Sequence, residues 1–253
     1  MCQTIPDALR DFFDRIPRAA LAFSGGADSA YLLYAARQCG CTVKAYFVQT
    51  VFQPAFEAQD ARRLAEQLGA ELQVLHVDIL CSEEVRRNPA DRCYHCKTAL
   101  FTRLCDAARK DGYDLIMDGT NASDDAGDRP GMRALRELGV VSPLRLCGVT
   151  KDALRQFSRA AGLFTWDKPA YACLATRIPA GQAIREEDLR AVEAAEEAVK
   201  ALGFSDFRVR LTRDGGARLQ LPADQWDRAA GMREELSAAL GDFAWAGLDF
   251  KTR

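Results

Sequence analysis

The stretch Ser24-Gly25-Gly26-Ala27-Asp28-Ser29 joins two apolar segments, residues 19–23 and 30–36. This order predicts a buried strand, a tight glycine turn and a helix that begins near the aspartate. The two glycines have no Cβ, so the backbone can approach a bulky anion and adopt positive φ angles. The N–H groups and the positive dipole end of the helix would then face that anion. The stretch therefore predicts a phosphate-binding turn.

Polar side chains of the same stretch add ligands for a nucleotide. Ser24 and Ser29 supply hydroxyl donors, and Asp28 supplies a carboxylate for the Mg²⁺ that accompanies phosphates. The stretch lacks the Gly-Lys-Ser/Thr end of a Walker loop, and its spacing is not Gly-x-Gly-x-x-Gly. The alternative is an ordinary strand-to-helix turn. Two serines and an aspartate at one helix start favour phosphate binding.

The rest of the chain predicts an α/β protein of two domains. Strands alternate with helices, which is typical of a parallel sheet covered on both faces. The predicted strands after the first are 42–48, 71–78 and 114–120, and the main helices are 54–68, 94–110, 132–138 and 151–161. A helix at 186–202, strands at 207–211 and 217–221, a helix at 223–240 and a strand at 243–250 predict a small α+β domain. We place the domains at 1–163 and 164–253.

Ligands of parallel sheets bind where the strands end, at their carboxyl edge. This rule brings the turn at 24–29, Val48 and the loop Gly119-Thr120-Asn121 around one crevice, where we expect ATP. The alternative for the loop is a polar segment that caps the next helix.

Composition and charge narrow the class of protein. The 253 residues are 48% hydrophobic and carry a formal net charge of −2, which gives no general attraction to nucleic acid. No apolar run is long enough to cross a membrane. We expect a cytoplasmic enzyme that binds neither nucleic acid nor membrane and forms a homo-oligomer.

Nine cysteines, an odd number, argue against a closed disulfide framework. Cys93 and Cys96 form a Cys-x-x-Cys pair at a helix start, and Cys173 lies in a long loop at 163–183. Three interpretations are open: a zinc site completed by His95, a redox dithiol, or an iron–sulfur cluster with one iron left open. The other cysteines are expected to be buried filler: Cys39, Cys41, Cys81, Cys105 and Cys147.

The stretch at 24–29 resembles the signature of the PP-loop ATP pyrophosphatases, which implies their fold, ATP with Mg²⁺, and adenylation of a substrate oxygen with release of pyrophosphate. More of the chain is similar to the LarE family of ATP-dependent sulfur transferases. The matching stretches are 24–29, 88–97, 118–124, 129–131, 142–144, 166–177 and 208–210.

The LarE resemblance implies a reaction. Enzymes of this family adenylate a carboxylate of pyridinium-3,5-biscarboxylic acid mononucleotide and convert it to a thiocarboxylate, for the nickel-pincer cofactor of lactate racemase. Cys173 matches the sulfur-donor position. Together with Cys93 and Cys96 it places the chain with the branch that binds a [4Fe-4S] cluster. In that branch the transferred sulfur would come from sulfide or another sulfur donor. The alternative within the family is sacrificial use of Cys173.

Basic residues complete the expected site. Arg208 and Arg210 are two apart on a strand and so share a face, from which they can grip the substrate phosphate; the alternative is a solvated strand face. Lys97 can bind phosphate or stabilise the acyl-adenylate. Thr176, where the family usually has serine, and Arg177 are assigned to substrate binding. We expect Glu196 at the surface rather than in the site.

Two other functions stay open at this point. tRNA sulfur transferases also combine a PP-loop with three cysteines, although the nearly neutral charge argues against RNA binding. The second alternative function is that of a non-catalytic protein that senses nucleotide and metal.

Overall fold

The computed structural model describes residues 4–124, 130–169 and 171–249. Its strands are β1 (Arg18–Ala22), β2 (Thr42–Gln49), β3 (Glu71–His76), β4 (Ile116–Met117), β5 (Arg208–Leu211), β6 (Ala217–Gln220) and β7 (Ala246–Asp249). The first helices are α1 (Asp7–Phe13), α2 (Ala27–Gln38), α3 (Ala55–Gln67), α4 (Glu83–Arg86) and α5 (Arg92–Lys110). The others are α6 (Pro130–Glu137), α7 (Pro143–Leu146), α8 (Lys151–Ala160), α9 (Glu186–Ala201), α10 (Trp226–Gly231) and α11 (Arg233–Ala239).

The chain divides into two compact units. The first unit contains Met1–Ile79 and Asp91–Ala170, and the second contains Leu80–Ala90 and Tyr171–Arg253. The short segment 80–90 therefore leaves the first unit and belongs with the carboxyl-terminal part of the chain. The domain limits expected from the sequence, 1–163 for the nucleotide-binding domain and 164–253 for the substrate domain, stay a prediction.

The first unit is built on a parallel sheet with the strand order β3-β2-β1-β4. Leu21 of the central strand pairs with Ala45 on one side and Met117 on the other. Alternate residues of this strand face opposite layers of helices, which is why the strand is apolar after its first residue, the exposed Arg18. Leu21 packs in a core with α1, α2, α3 and α8, whereas Ala20 packs on the other face with residues of α5.

The second unit is a small α+β structure. In its sheet, β5 pairs antiparallel with β6, and β6 pairs parallel with β7. One face of this sheet forms a core with α9, α10 and α11, with Val209 and Leu219 at its centre. Segment 80–90 is tied to the same unit, because Asn88 Nδ2 donates to the Pro179 carbonyl at 2.9 Å and Ile184 N donates to the Arg86 carbonyl at 2.8 Å. The predicted α/β fold, with a small α+β part at the carboxyl end, is confirmed.

Two predicted elements differ from the structure. The fourth strand, expected over 114–120, pairs only over Ile116–Met117. The strand ends there because the Asp118 carboxylate accepts hydrogen bonds from the Thr120 and Ser142 hydroxyls, which hold the following residues in a loop. The helix expected over 223–240 is interrupted at Met232, whose φ and ψ are −113° and 36°. Gly231 precedes the break, and glycine is a poor helix former. Phe250 of the last predicted strand lies outside the described residues.

Among the helices that the structure describes, none is both long enough and apolar enough to cross a bilayer.

Candidate functional site

The turn after β1 has the backbone that the sequence predicts for anion binding. Gly25 has φ of +68°, and a Cβ there would lie 3.0 Å from the backbone nitrogen of Ala61 in α3. Glycine is thus required both by the backbone angle and by the close approach of α3. Gly26 caps α2, which begins one residue later than the glycine pair. The N-terminal N–H groups of this 12-residue helix therefore open next to the turn.

The two serines of the turn lie against each other. Ser24 Oγ and Ser29 Oγ are 3.1 Å apart, and Gly26 N donates to Ser24 Oγ at 3.3 Å. Ser29 Oγ also donates to the Gly26 carbonyl at 3.3 Å. These long bonds hold both hydroxyls at the mouth of the turn, where they can be exchanged for bonds to a phosphate oxygen.

The Asp28 carboxylate is held by two residues from distant parts of the first unit. Lys151 Nζ lies 2.6 Å from its Oδ2, and Asn121 Nδ2 donates to its Oδ1 at 3.1 Å. Asn121 was predicted for this site, and the structure brings it to Asp28. Lys151 was not predicted, since nothing in the sequence near it resembles a nucleotide motif.

The end of β4 packs directly on the start of α2. A Cβ at Gly119 would lie 2.8 Å from the backbone nitrogen of Ser29. The neighbouring Asp118 is buried, and its carboxylate accepts hydrogen bonds from Ser142 Oγ at 2.6 Å and from Thr120 Oγ1 at 2.5 Å. Gly119 therefore serves close packing, and Asp118 shapes the loop that carries Thr120.

A cavity of about 650 Å³ opens at these elements, a volume typical of small-molecule sites. Predicted residues that line it are Ser24, Asp28, Ser29, Val48, Cys93, Lys97, Gly119 and Thr120. Two further lining residues, Asp118 and Asp124, belong to the stretch 118–124 that the sequence indicated, whereas Gln53, Glu57, Leu100 and Phe101 had no such signal. The crevice at the carboxyl edge of the sheet thus exists within the first unit.

Helix α5 forms one wall of the cavity with a single face. Cys93, Lys97, Leu100, Phe101 and Leu104 all line it, and they follow the spacing of one helical face. The spacing 93, 97, 100 and 104 was readable from the sequence, so the apolar part of this wall could have been found. A Cβ at Gly131 would lie 3.0 Å from Lys97 Cδ, so glycine leaves room for the lysine stem. Arg129, which precedes this glycine in a matched stretch, lies outside the described residues.

The three predicted cluster cysteines fall in both units. Cys93 is exposed and Cys96 half-buried in the first turns of α5, whereas Cys173 is half-buried in the second unit. Among the residues that the structure describes, no group of three or more His, Cys, Asp or Glu side chains is arranged to hold a metal ion.

The cysteines expected to be filler differ in environment. Burial raises the pKa of the Cys41 thiol to about 11, and Cys105 is also buried with a raised pKa. Cys39 and Cys147 are only half-buried. The interpretation of Cys81 as buried filler is wrong, because this residue is exposed next to α4.

The second unit contains a buried ion pair. Arg177 is only 1% exposed, and it donates to Glu196 through Nε at 2.7 Å and through Nη2 at 3.0 Å. Glu196 also accepts hydrogen bonds from Tyr171 Oη at 2.5 Å and from Val209 N at 3.0 Å. The expectation that Glu196 lies at the surface is wrong, because this residue is 6% exposed and holds the interior of the unit together.

Arg208 and Arg210 lie close to the same pair. Burial, followed by the charge of Arg177, lowers the pKa of both guanidinium groups. Arg210 Nη1 donates to the Thr176 carbonyl at 2.7 Å, and the Tyr171 ring faces Arg177 and Arg208 at 4.7 Å and 5.2 Å. The Glu196 carboxylate thus bonds to Arg177, and its charge also acts on the nearby guanidinium groups of Arg208 and Arg210. The excess positive charge suits a doubly charged phosphate.

Comparison with known proteins gives the relationship of the whole chain. No protein-family model matches it. An uncharacterized protein of Synechocystis is 35% identical over 89% of this chain and 84% of its own length. The pyridinium-3,5-bisthiocarboxylic acid mononucleotide synthase of Lactiplantibacillus plantarum is 33% identical over 87% of this chain and 78% of its own length.

A more distant relative matches a part of the chain. The tRNA-specific 2-thiouridylase of Fervidobacterium nodosum is 25% identical over 40% of this chain and 36% of its own length. This likeness agrees with the PP-loop ATP pyrophosphatase fold of the first unit. By its similarity over most of both sequences to the synthase of Lactiplantibacillus plantarum, the chain belongs to the LarE family of pyridinium-3,5-bisthiocarboxylic acid mononucleotide synthases.

Proposed function

We propose that this chain is an ATP-dependent sulfur transferase. It adenylates a carboxylate of pyridinium-3,5-biscarboxylic acid mononucleotide and converts it to a thiocarboxylate in the biosynthesis of the nickel-pincer cofactor. The observation that carries this proposal is the cavity at the 24–29 turn in a member of the LarE family. Sulfide or another sulfur donor supplies the sulfur atom, and the cytoplasmic location and the homo-oligomer stay predictions.

The first unit binds and activates ATP. The N–H groups at the start of α2 and the hydroxyls of Ser24 and Ser29 receive the phosphates. A carboxylate oxygen of the substrate then attacks the α-phosphorus, and pyrophosphate leaves. Lys97 enters the same cavity and offsets the charge that develops on the phosphates and on the acyl-adenylate.

Mg²⁺ fits the predicted ligand Asp28, because a cation, the Lys151 ammonium, already lies 2.6 Å from its Oδ2. Carboxylate oxygens are also the ligands that Mg²⁺ prefers. Asp28 would hold the ion, which neutralises phosphate charge when it is bound.

The second unit holds the substrate by its phosphate. Arg208 and Arg210 donate to the phosphate oxygens, while the pair of Arg177 and Glu196 keeps the surrounding structure rigid. Thr176 stays beside this group, since its hydroxyl donates to the Cys173 carbonyl at 2.8 Å and accepts from Arg177 Nη1 at 2.8 Å. Thr176 therefore links the residues that hold the substrate phosphate to the loop that carries Cys173.

Sulfur then replaces the adenylate. The sulfur nucleophile attacks the activated carbonyl carbon, the bond to the adenylate oxygen breaks, and AMP leaves. Cys93, Cys96 and Cys173 would hold a [4Fe-4S] cluster; the fit rests on thiolate chemistry and on two cysteines one helical turn apart in α5. When bound, such a cluster supplies an open iron for sulfide. In the alternative, Cys173 donates its own sulfur and becomes dehydroalanine.

Single-turnover and multiple-turnover assays test the proposal. The anaerobically reconstituted protein, mixed with ATP, Mg²⁺, sulfide and the mononucleotide, should release AMP and pyrophosphate in step with thiocarboxylate formation. Cys93→Ala, Cys96→Ala and Cys173→Ala should each lose sulfur transfer and the cluster absorbance but keep ATP binding, whereas Cys81→Ala serves as the control cysteine variant. Dehydroalanine at Cys173, about 34 Da lighter by loss of H₂S, would instead establish sacrificial transfer. Absence of substrate-dependent AMP would contradict the proposed function itself.

The arginines provide a separate test of the substrate. Arg208→Ala and Arg210→Ala should weaken binding of the mononucleotide by roughly tenfold or more, since hydrogen bonds to charged groups contribute about 1.5–3 kcal/mol. Binding of ATP should change little. Isothermal titration calorimetry measures both ligands, with the exposed Arg190→Ala in α9 as the matched control. Equal losses for both ligands would remove these arginines from the substrate site.

Thiolation of tRNA is the second candidate, because the thiouridylase of Fervidobacterium nodosum matches part of the chain. That match covers only 40% of this chain, so it supports nucleotide chemistry more than the nature of the substrate. Replacing the mononucleotide by tRNA in the same assay separates the two functions.

A further inference from the structure

The cation partner of Asp28 is a lysine that no motif in the sequence indicates. Lys151 is the first residue of α8, and it reaches Asp28 across 123 positions of sequence. Its Nζ lies 2.6 Å from Oδ2, while Asn121 Nδ2 donates to Oδ1 at 3.1 Å. Both carboxylate oxygens that a metal ion would use therefore already have donors from the protein.

The backbone of Lys151 is fixed, but its side chain is able to move. Its backbone nitrogen donates to Ser123 Oγ at 2.9 Å, and the preceding Thr150 caps α8 by accepting from Ala153 N. The side chains of Lys151 and Asp28 are each 29% exposed, so neither is locked in the interior. The ammonium group sits on a flexible four-carbon stem and can change its partner without movement of the helix.

We propose that Lys151 is a positioning residue that occupies the cation position on Asp28 in the nucleotide-free protein and yields it to Mg²⁺ when ATP binds. The part of this inference that concerns ATP rests on the proposed function. An ammonium group and a magnesium ion compete for the same carboxylate oxygen, because two positive charges at such close range repel each other. The displaced ammonium remains tethered beside the cavity and pairs with the arriving phosphates.

This exchange has a specific consequence for metal binding. Asp28 stays neutralised before and after ATP arrives, so its charge never faces the cavity alone. Mg²⁺ on its own must compete with the lysine, whereas Mg²⁺ that arrives with ATP brings the phosphates that receive the displaced ammonium. Lys151 therefore makes the metal enter together with the nucleotide.

The test is calorimetric titration with MgCl₂ alone and with Mg²⁺ and ATP together, on the full chain. Lys151→Met should bind Mg²⁺ alone at least about tenfold tighter than the wild-type protein, since a charged hydrogen bond no longer competes. It should bind ATP in the presence of Mg²⁺ about tenfold more weakly, because the phosphates lose a cation. Lys151→Arg should keep the weak binding of Mg²⁺ alone. The control is Lys110→Met, which removes an exposed lysine at the end of α5.

Opposite changes for the two ligands distinguish this proposal from a purely structural role, which would weaken both. An unchanged affinity of Lys151→Met for Mg²⁺ alone, relative to Lys110→Met, would overturn it. Circular dichroism verifies that each variant is folded, and Lys151→Gln replaces Lys151→Met if the latter is not. If the wild-type protein binds no ATP, the proposed function fails. The titration with Mg²⁺ alone still decides whether Lys151 competes with the metal ion for Asp28.

Discussion

Glu196 lies on the buried face of α9, although its neighbour Glu197 is exposed. Leu189, Val192 and Val199 share that face, at distances of seven, four and three residues from Glu196. An acidic residue in a row of apolar positions is itself a signal, because such a residue is buried only when it is paired. The partner, Arg177, lies 19 residues earlier in a 3₁₀ turn, and no periodic pattern indicates it.

We expect Glu196→Ala to lower the free energy of unfolding by about 3–5 kcal/mol, because it leaves the Arg177 guanidinium buried without its carboxylate. Urea denaturation at neutral pH measures this loss. The exposed Glu197→Ala should stay within about 0.5 kcal/mol of the wild-type protein. Equal effects of the two substitutions would mean that the pair contributes nothing beyond helix propensity.

At the scale of elements, the phosphate-binding turn depends on packing against its neighbours. A Cβ at Gly119 would meet the backbone of Ser29 at 2.8 Å, where no flexible side chain can give way. We expect Gly119→Ala to destabilise the protein by about 1–3 kcal/mol and to weaken ATP binding, because the start of α2 must shift. Thermal unfolding and calorimetry measure the two effects.

Gly231 provides the matched control for this element. A Cβ at that position meets nothing within 4 Å, so Gly231→Ala should be neutral or stabilise α10 by up to about 1 kcal/mol. If Gly119→Ala behaved in the same way, close packing would not be the reason for glycine at the end of β4.

Much of the first unit was predictable from local pattern. The apolar run before Ser24 and the glycine turn indicated β1 and α2, and Gly69, with φ of +59°, ends α3 where the sequence predicts. The shortening of β4 was not predictable, because Asp118 turns away to accept a hydrogen bond from Ser142, 24 residues further along.

The candidate site was predictable to the same degree. Strand ends and the glycine turn indicated Ser24, Val48 and Thr120, which line the cavity. Lys151 could not be found in this way, since its contact with Asp28 is set by the packing of α8 and not by any local spacing. Residues that act through distant side chains have no signature in a single sequence.

At the scale of the whole molecule, one partly buried ion pair should make stability depend on pH. Lys44 Nζ lies 2.7 Å from Asp111 Oδ2, and Tyr46 Oη donates to the same oxygen at 2.7 Å. The hydrogen bond from Lys44, followed by that from Tyr46, holds the pKa of Asp111 below its ordinary value. The group therefore binds fewer protons in the folded protein than in the unfolded chain near pH 4.

The contribution of Asp111 to stability should be complete above its unfolded pKa of about 3.9 and should be lost as the pH falls through the lower folded value. Urea denaturation between pH 6 and pH 3 should accordingly show Asp111→Asn less stable than the wild-type protein at the upper end, with the difference shrinking toward the lower end. A difference that stayed constant across this range would contradict the assignment. Asp106→Asn, an exposed change in α5, the helix that ends just before Asp111, controls for the loss of one carboxylate.

The discontinuity of the second unit has a consequence during synthesis on the ribosome. Residues 80–90 are made before the second half of the first unit, yet Asn88 bonds to the Pro179 carbonyl, 91 residues later. At about 5–20 residues per second, this segment waits roughly 5–20 s for its partners. The nascent first unit must therefore fold around a loop that is still open. Until its partners are made, that loop is accessible to proteases and chaperones.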